Sequence, residues 1–325
     1  MGRIWAGIGC LAAVMASHPP NGYRSGMYDI IGDIHGHADE LVELLTRLGY
    51  REDGGCFRHE KRRAIFCGDF IDRGPQIPDV VRIARSMVEN DAARAVMGNH
   101  EFNALAYYTE HPEAPGEFLR RHDSHNDRQH AATRQQFDDA ELQSSLEWFG
   151  TLPVALDLTN LRIVHACWNP EGIAAINRVL STSESAFSPE FLVPATNRGS
   201  ELFDAVECVL KGPELPLPDG ETVKDKEGNI RRRIRIRWFE PPDEHSWDTY
   251  SLPLKPTLPS EPVPANAPAV PYSKAEPPVF VGHYWLPDKS PAPLTRNIAC
   301  LDYSVARNGF LTAYRFDGES VLATL

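Results

Sequence analysis

The sequence lacks the features by which several classes of protein are recognised. Its six cysteines are scattered along 325 residues and form neither a CxxC pair nor the spacing of a zinc finger. It also lacks an excess of basic residues, because 33 lysines and arginines stand against 45 aspartates and glutamates, for a formal net charge of -12. Proteins that bind nucleic acid by neutralising phosphates are normally basic or carry a basic stripe. These absences argue against a zinc finger and a nucleic-acid partner, and they fit a reducing compartment such as the cytoplasm.

The first 26 residues differ in composition from the rest of the chain. Arg3 precedes an apolar stretch, 4–16, that ends in small residues and is followed by a Ser-His-Pro-Pro run. This pattern resembles a weak signal peptide, which would make the protein exported. The favoured alternative is a dispensable N-terminal extension, because Met27 directly precedes the first convincing strand. The stretch is shorter than the roughly 20 residues that cross a bilayer, so no membrane partner is expected.

Short apolar strands alternate with helices in the first third of the chain. Strands are predicted at 28–31, 64–67 and 93–97, and apolar residues recur at helical spacing over 38–48 and 77–88. Strand–helix–strand order is typical of an α/β domain. Each of these strands ends in a glycine that is followed by polar residues. Because ligands of open α/β folds bind at the carboxyl ends of strands, these polar residues are where chemistry is expected.

The later part of the chain is less regular. Its predicted elements are a mostly helical stretch at 101–150, a hairpin at 154–158 and 161–164, and strands at 231–239, 279–281, 297–301, 310–316 and 321–325. The proline-dense stretch 241–278 favours extended loop over packed elements. We therefore expect one domain over 27–325, with a variable insertion region at 170–278.

Three short segments share one design, and each lies between a predicted strand and a predicted helix. They are Gly32-Asp33-Ile34-His35-Gly36, Gly68-Asp69-Phe70-Ile71-Asp72-Arg73-Gly74 and Gly98-Asn99-His100-Glu101. Their carboxylate, amide and imidazole groups suit divalent ions such as manganese, iron or zinc. Two further histidines, His165 and His283, follow later strands and can point into the same crevice. A single residue of this kind is more often a helix cap or a satisfied polar group, but coincidence does not explain five strand ends that each carry one.

On these residues the chain resembles the calcineurin-like metallophosphoesterases. It looks closest to the phosphoprotein-phosphatase-type branch, which includes bacterial serine/threonine phosphatases and bacterial diadenosine tetraphosphatases. The three segments, with Pro75 after the second, carry the resemblance over 30–101, and His165 and Gly282-His283 extend it along the chain. The resemblance implies a four-layer α-β-β-α sandwich with two mixed sheets and a helical, proline-rich insertion.

The resemblance also implies two divalent metal ions, with manganese expected and iron, zinc, cobalt and nickel as alternatives. The first ion would be bound by Asp33, His35 and Asp69. The second would share Asp69 as a bridge and would be bound by Asn99, His165 and His283. Two ions at such a site hold a hydroxide that attacks phosphorus, and they clamp the phosphate oxygens.

A second set of residues is implied for catalysis. His100 would be the general acid that protonates the leaving oxygen, and Asp72 would orient it through the other ring nitrogen. Arg73 would bind non-bridging phosphate oxygens with its planar fork. The alternatives are a hydrogen-bonding role without proton transfer for His100, and an ion pair with Asp72 or Glu101 for Arg73.

The chain departs from the branch in two places. Phosphatases of this branch often have Gly-Gly after the fourth-strand histidine, where this chain has Ala166-Cys167-Trp168. They also usually carry a second phosphate-binding arginine before the last histidine. The sequence does not choose between the candidates Arg231, Arg232, Arg233, Arg235 and Arg237.

The sequence therefore predicts a metal-dependent phosphoester hydrolase that acts on a phosphorylated substrate, either a phosphoprotein or a nucleotide. A hydrolase of dinucleoside polyphosphates such as diadenosine tetraphosphate is a close alternative. A further alternative is a metal-bound scaffold without catalysis, against which the presence of His100, Asp72 and Arg73 beside a full ligand set argues. A nuclease is disfavoured by the acidic net charge.

Overall fold

The computed structural model describes residues 26–183, 187–224 and 228–323. The segment to which the signal-peptide and extension alternatives apply, 1–25, lies outside these residues. Among the helices within the described ranges, none combines the length and the apolar character that crossing a membrane requires.

The strands of the described residues are two to four residues long. They are β1 (Tyr28–Ile31), β2 (Arg51–Asp53), β3 (Cys56–Arg58), β4 (Arg63–Phe66), β5 (Ala93–Ala95), β6 (Ala155–Leu158), β7 (Leu161–Val164), β8 (Glu214–Pro216), β9 (Val223–Lys224), β10 (Ile230–Arg231), β11 (Arg233–Arg235), β12 (Val279–Val281), β13 (Ile298–Cys300), β14 (Asp302–Tyr303), β15 (Phe310–Leu311) and β16 (Ala313–Phe316).

The helices of the same residues cover the strands and fill the connections. They are α1 (Ala38–Leu48), α2 (Ile77–Glu89), α3 (Asn99–Tyr108), α4 (Ser124–Gln136), α5 (Asp139–Phe149), α6 (Pro170–Leu180), α7 (Pro189–Thr196), α8 (Glu201–Lys211) and α9 (Trp247–Tyr250).

Two four-stranded sheets form the centre of the fold. In the first, with order β16-β1-β4-β5, the strands β1, β4 and β5 are parallel and β16 is antiparallel to β1. In the second, with order β13-β12-β7-β6, the strands β13, β12 and β7 are parallel and β6 is antiparallel to β7. Both sheets are therefore mixed, which confirms the prediction made from the resemblance.

The two sheets face each other across an apolar layer. Alternate residues of a strand point to opposite faces, and Ile30 of β1 and Ile163 of β7 both lie in this layer. The ring of Phe280 on β12 lies 5.1 Å from that of Tyr314 and 6.0 Å from that of Phe316, both on β16. Side chains of one sheet thus pack directly on those of the other.

The outer faces of the sheets are covered by helices. Ile31 follows Ile30 in β1 and therefore points to the opposite, outer face of the sheet. It belongs to a second apolar cluster that contains Leu41 of α1 and Val80 of α2. Val164 of the second sheet lies in the same cluster as Val209 of α8. The order helix, sheet, sheet, helix agrees with the predicted sandwich.

The predicted strand over 231–239 is wrong. The segment forms the short strands β10 and β11, and β11 pairs antiparallel with three-residue β8, so that its last residue, Arg235, lies opposite Glu214, where β8 begins. Because a strand cannot extend its hydrogen bonds beyond its partner, the ladder stops there. The predicted alternation is nevertheless present, since Ile234 and Ile236 are buried. The strand expected at 321–325 is also wrong for its described residues, 321–323, which form no strand.

Three helices, α6, α7 and α8, were not predicted. Two of them are capped by a side chain: in α6 Asn169 accepts a hydrogen bond from Gly172 N, and in α8 Ser200 accepts one from Phe203 N. The proline-dense stretch 241–278 contains few regular elements, namely α9 and a 3₁₀ turn at Pro242–Glu244, as its composition indicated. The bounds of the insertion region stay a prediction.

Candidate metal centre

The six predicted ligands lie where strands of the two sheets end. Asp33 and His35 follow β1, Asp69 follows β4 and Asn99 begins α3 after β5, while His165 and His283 follow β7 and β12. All six side chains are buried, with exposed fractions between 0 and 6% for Asp33, His35, Asp69, Asn99, His165 and His283. The structure therefore brings together residues that are up to 250 positions apart in the chain.

The backbone at this edge is unusual. Three of the predicted ligands have left-handed φ angles, which are 46° at His35, 55° at Asp69 and 70° at His283. Asp72 and Arg73 share this conformation, with φ angles of 66° and 69°. Such angles are costly for residues other than glycine and persist only where the surroundings fix them, which is typical of functional sites.

Close packing explains why the third segment begins with a glycine, Gly98. A Cβ atom at Gly98 would lie 2.3 Å from Oδ1 of Asp69, so any larger residue would displace that carboxylate. The requirement for glycine here is therefore steric, and it serves the position of Asp69.

The carboxylate of Asp69 lies at the middle of the cluster. Its Oδ2 atom is 3.5 Å from Nε2 of His35, 3.4 Å from Nε2 of His165 and 3.9 Å from Nε2 of His100. Its Oδ1 atom accepts a hydrogen bond of 3.0 Å from the backbone N–H of His100. One carboxylate oxygen thus faces three imidazole nitrogens, the position expected of a bridging ligand.

Two of the histidines are oriented by backbone carbonyls. Nδ1 of His35 lies 2.8 Å from the carbonyl of Ile71, and Nδ1 of His165 lies 2.7 Å from that of Cys67. Because a carbonyl only accepts, each Nδ1 carries a hydrogen, and each Nε2 is the nitrogen that would bind a metal ion. Metal-binding histidines in proteins are normally held in this way.

The donor atoms fit divalent ions. Two groups, His35 with Asp69 and His100, and Asp69 with His165 and His283, each place their candidate ligand atoms within 4.8 Å of one another. Among the described residues, Oδ1 of Asp33 and Nε2 of His283 are buried without a hydrogen-bond partner. Buried polar atoms are rarely left unpaired, and a bound cation would satisfy each of these two atoms.

The ionisable groups of the cluster shift one another's pKa values. Burial would raise the pKa of Asp69, but the neighbouring imidazoles, His165 first among them, outweigh burial and lower it well below its ordinary value. Conversely, burial would lower the pKa of His165, but Asp69 raises it to about 10. Burial also lowers the pKa of His283, helped by the positive charge of Arg235, so that imidazole is held in its neutral, metal-binding form.

His100 and Asp72 form a tight pair. Nδ1 of His100 lies 2.5 Å from Oδ2 of Asp72, and Nε2 of His100 points towards Asp69 and lies 3.2 Å from Nη2 of Arg73. Burial would raise the pKa of Asp72, but hydrogen bonds from His100 and His130 lower it well below its ordinary value. Asp72 is therefore a carboxylate that keeps the hydrogen of His100 on Nδ1.

Arg73 lies between the cluster and an aromatic ring. Its Nη1 atom is 2.6 Å from Nε2 of His35, and its guanidinium carbon lies 4.0 Å from the centroid of the Trp285 ring. Stacking of this kind orients the planar fork. Trp285 has no feature in the sequence that marks it, apart from its place two residues after His283.

Glu101 has a role that the sequence did not reveal. Its carboxylate accepts hydrogen bonds from the backbone N–H groups of Asp69, Phe70 and Gly98, at 2.9, 2.9 and 3.0 Å. Glu101 is fully buried and ties the second segment to the third. The sequence feature that could have indicated this role is its position in the third segment, because a carboxylate buried beside proposed ligands needs hydrogen-bond donors.

The two departures from the branch have local explanations. The backbone N–H groups of Ala166 and Cys167 both donate to the carbonyl of Val209, so the loop after His165 docks on α8. Among the five candidate arginines, the charge of Arg235 lowers the pKa of His283, as described above. It therefore lies within electrostatic reach of the centre.

Comparison with known proteins finds a matching family and several relatives. The model of the calcineurin-like phosphoesterase family matches residues 28–192. The asymmetrical bis(5'-nucleosyl)-tetraphosphatases PrpE of Halalkalibacterium halodurans and of Bacillus subtilis are each 46% identical over 74 residues, which are 22% of this chain and 30% of the relative. This chain thus covers about 30% of the length of the curated relatives that it matches.

Among solved structures, the cold-active protein-tyrosine phosphatase of a psychrophilic Shewanella species is 15% identical, with a TM-score of 0.46, covering 91% of this chain and 77% of that one. The family model extends over just over half of the chain and includes all three glycine-bounded segments and His165. The chain therefore belongs to the calcineurin-like phosphoesterase family.

Proposed function

We propose that the protein is a metal-dependent phosphoester hydrolase with two divalent ions, of which manganese is the favoured metal. One observation carries the proposal: two groups of buried donor atoms share the carboxylate of Asp69. The residues proposed as ligands are Asp33, His35, Asp69, Asn99, His165 and His283. A mixture of carboxylate, amide oxygen and imidazole suits manganese and its neighbours in the first transition row.

Divalent ions at such a site lower the pKa of water and neutralise charge on phosphoryl oxygens. The chain's own residues supply the remaining functions. The fork of Arg73, held against Trp285, binds non-bridging oxygens of the substrate. As the bond from phosphorus to the leaving oxygen breaks, that oxygen takes the proton from Nε2 of His100, while Asp72 retains the hydrogen on Nδ1.

For the substrate, phosphoproteins and nucleotides remain the first proposal, and a serine/threonine phosphatase activity is included in it. Dinucleoside polyphosphates are the second candidate, and the relatives named bis(5'-nucleosyl)-tetraphosphatases favour them. We also propose a cytoplasmic location, which is supported by the free thiols of the five cysteines that the structure describes.

Substrate assays on the manganese-loaded protein test these proposals. Phosphoserine peptide, phosphotyrosine peptide and diadenosine tetraphosphate should be compared by kcat/KM, with chromatography of the nucleotide products. Preference for a peptide supports a protein phosphatase, and preference for the dinucleotide supports the second candidate. A protein that binds two equivalents of metal but turns over no substrate would be a scaffold, and the proposed activity would be refuted.

A matched pair of variants distinguishes the loss of a proposed metal ligand from the loss of a carboxylate elsewhere on the protein. Asp33→Asn alters a buried proposed ligand, whereas Asp39→Asn alters an exposed carboxylate six residues later. We expect the first to lose bound metal and activity and the second to retain both. Equal metal content in the two variants would contradict the ligand assignment of Asp33.

A further inference from the structure

The helix α4 contributes two side chains to Asp72. Nδ1 of His130 lies 2.7 Å from Oδ1 of Asp72, and the hydroxyl of Thr133 donates to the same oxygen at 2.5 Å. The backbone N–H of Asp72 in turn donates to the Thr133 hydroxyl at 3.0 Å. The opposite carboxylate oxygen, Oδ2, is left for His100.

The composition of α4 makes these contacts unusual. Most surface helices dock through an apolar stripe, but the buried residues of α4 are His130 and Thr133, at 5% and 0% exposure. Burying an imidazole and a hydroxyl costs free energy that apolar residues would not cost. The inward face of α4 therefore serves the carboxylate of Asp72 rather than apolar packing alone.

The second nitrogen of His130 gives an independent indication. Its Nε2 atom is buried and, among the described residues, has no hydrogen-bond partner. His130 also lines a small cavity together with Asn103, Arg120 and Gln129. A histidine buried only for packing would be expected to have hydrogen-bond partners at both nitrogens. Within the part of the chain that the structure describes, His130 has a partner at Nδ1 only, and that partner is Asp72.

Asp72 needs external support to hold its position. Its backbone is left-handed, with φ of 66°, and its carboxylate could rotate if Oδ2 alone were bonded. With His130 and Thr133 on Oδ1, the plane of the carboxylate is fixed, and so is the direction of Nδ1–H of His100. The direction of Nε2 of His100 follows, because the ring is rigid.

We propose that His130 is a positioning residue, which acts through Asp72 to aim Nε2 of His100 at the leaving oxygen of the substrate. This inference rests on the proposed hydrolase function and on His100 as its general acid. It extends the pair of His100 and Asp72 to a chain of three residues, two of which come from loops after strands and one from a polar helix.

The leaving group provides a readout that a purely structural role would not move. Phenolate is a poor leaving group and needs a proton in the transition state, whereas p-nitrophenolate is a stable anion and depends on it far less. Misalignment of the general acid should therefore slow hydrolysis of phenyl phosphate more than that of p-nitrophenyl phosphate. A general loss of folding or of metal would slow both equally.

The experiment compares His130→Ala, His130→Asn and Gln129→Ala in the manganese-loaded full-length protein. An asparagine amide can occupy the place of Nδ1 and donate to Asp72. Gln129 is the neighbouring residue of α4 and bonds Arg120 instead. Loss of an outer-shell partner typically costs about 10- to 100-fold, and we expect this loss in kcat for His130→Ala on phenyl phosphate, with KM and metal content unchanged.

On p-nitrophenyl phosphate the same variant should lose far less. His130→Asn should recover most of kcat on phenyl phosphate, and Gln129→Ala should behave as wild type. If His130→Ala does not fold, Thr133→Val provides the test. It removes the other donor to Oδ1 while keeping the side-chain shape, and it should show the same leaving-group dependence. In folded variants of an active protein, equal losses of kcat on both esters, or no loss on either, would refute the positioning role of His130. The proposed hydrolase function would still stand. A metal-loaded wild-type protein that hydrolyses neither ester would instead refute the proposed function, and this inference with it.

Discussion

Gly282 and Asp33 are in direct contact although 249 positions separate them: a Cβ atom at position 282 would lie 1.9 Å from Oδ1 of Asp33. The backbone N–H of His283 donates to the other oxygen, Oδ2, at 3.0 Å. The residue before one proposed ligand thus shapes the site of another. The last strand of the site and the first are coupled through this contact.

Gly282→Ala should therefore displace the carboxylate of Asp33 and weaken metal binding. We expect manganese affinity to fall by about 10- to 100-fold, the range typical of disturbed support around metal ligands. Isothermal titration calorimetry on the chelator-treated protein measures this. Gly172→Ala, inside α6, is the matched control: its Cβ atom would make a tight contact of 3.3 Å with the Val209 side chain and none with a proposed ligand, so the variant should bind as wild type. Unchanged affinity of Gly282→Ala would mean that Asp33 does not contribute to the site.

Metal should stabilise the folded protein, because the donor atoms converge only in the folded state. At a free manganese concentration 100 times Kd, one site contributes about 2.7 kcal/mol. The Tm of chelator-treated protein should thus rise with added manganese in differential scanning calorimetry. Asp69→Asn should abolish most of the rise, since Asp69 is shared by both donor groups. A Tm that does not respond to manganese in the wild type would contradict the proposed centre.

His100→Asn tests the proposed general acid. The substitution keeps a polar side chain beside Asp72 but removes the group that donates to the leaving oxygen. General acid catalysis contributes about 10²- to 10⁴-fold, so kcat should fall within that range while metal content stays constant. Steady-state kinetics with phenyl phosphate provides the measurement. Wild-type turnover in this variant would leave His100 with a hydrogen-bonding role only.

Much of the site was predictable because its residues lie in short segments with a local pattern. Strands that end in glycine and ligand-type residues mark Asp33, His35 and Asp69 without knowledge of the fold. His130 and Thr133 could not be found in this way, because they meet Asp72 from 58 and 61 residues away. Contacts between residues so far apart in the chain leave no periodic pattern in the sequence. In addition, α4 has no apolar stripe that would mark its buried face.

The missed and wrong elements of the fold have a related cause. The strand expected over 231–239 has the correct alternation, but its length is limited by its partner β8, which lies elsewhere in the chain. Helix α8 lacked a clear start in a region without repeated pattern, although Ser200 caps it. Local propensity therefore indicated these segments only in part, and tertiary pairing determined their bounds.

A buried ion pair outside the site should control stability. Arg62, at 4% exposure, bonds both oxygens of fully buried Asp29 and donates to the carbonyls of Tyr28 and Phe316. Removing one partner of such a pair leaves a buried charge and costs about 3–5 kcal/mol. Because Arg315 also bonds Asp29 at 2.9 Å and would remain as a partner, Arg62→Met should lower the free energy of unfolding in urea by less than this amount. Arg82→Met, on an exposed arginine, is the control and should change it little.

Cys208 should be the most reactive of the described thiols. The neighbouring thiol of Cys167, whose sulfur lies 3.8 Å away, and a hydrogen bond from the Asn169 side chain outweigh burial and lower the pKa of Cys208 to about 7. Burial instead raises the pKa of Cys67 and Cys300 well above the ordinary value. Since the thiolate is the nucleophile, alkylation of Cys208 should be slow below pH 7 and should rise to a plateau above it.

Iodoacetamide labelling between pH 5.5 and 9.5, followed by peptide mass spectrometry, measures this profile. The midpoint for Cys208 should lie near pH 7. In Cys167→Ala the neighbouring thiol that lowers the pKa of Cys208 is absent, so the midpoint should move to higher pH while burial of Cys208 is little changed. A midpoint that is the same in the two proteins would show that the neighbouring thiol does not stabilise the Cys208 thiolate. Faster labelling of a fully buried cysteine would contradict the predicted order of reactivity.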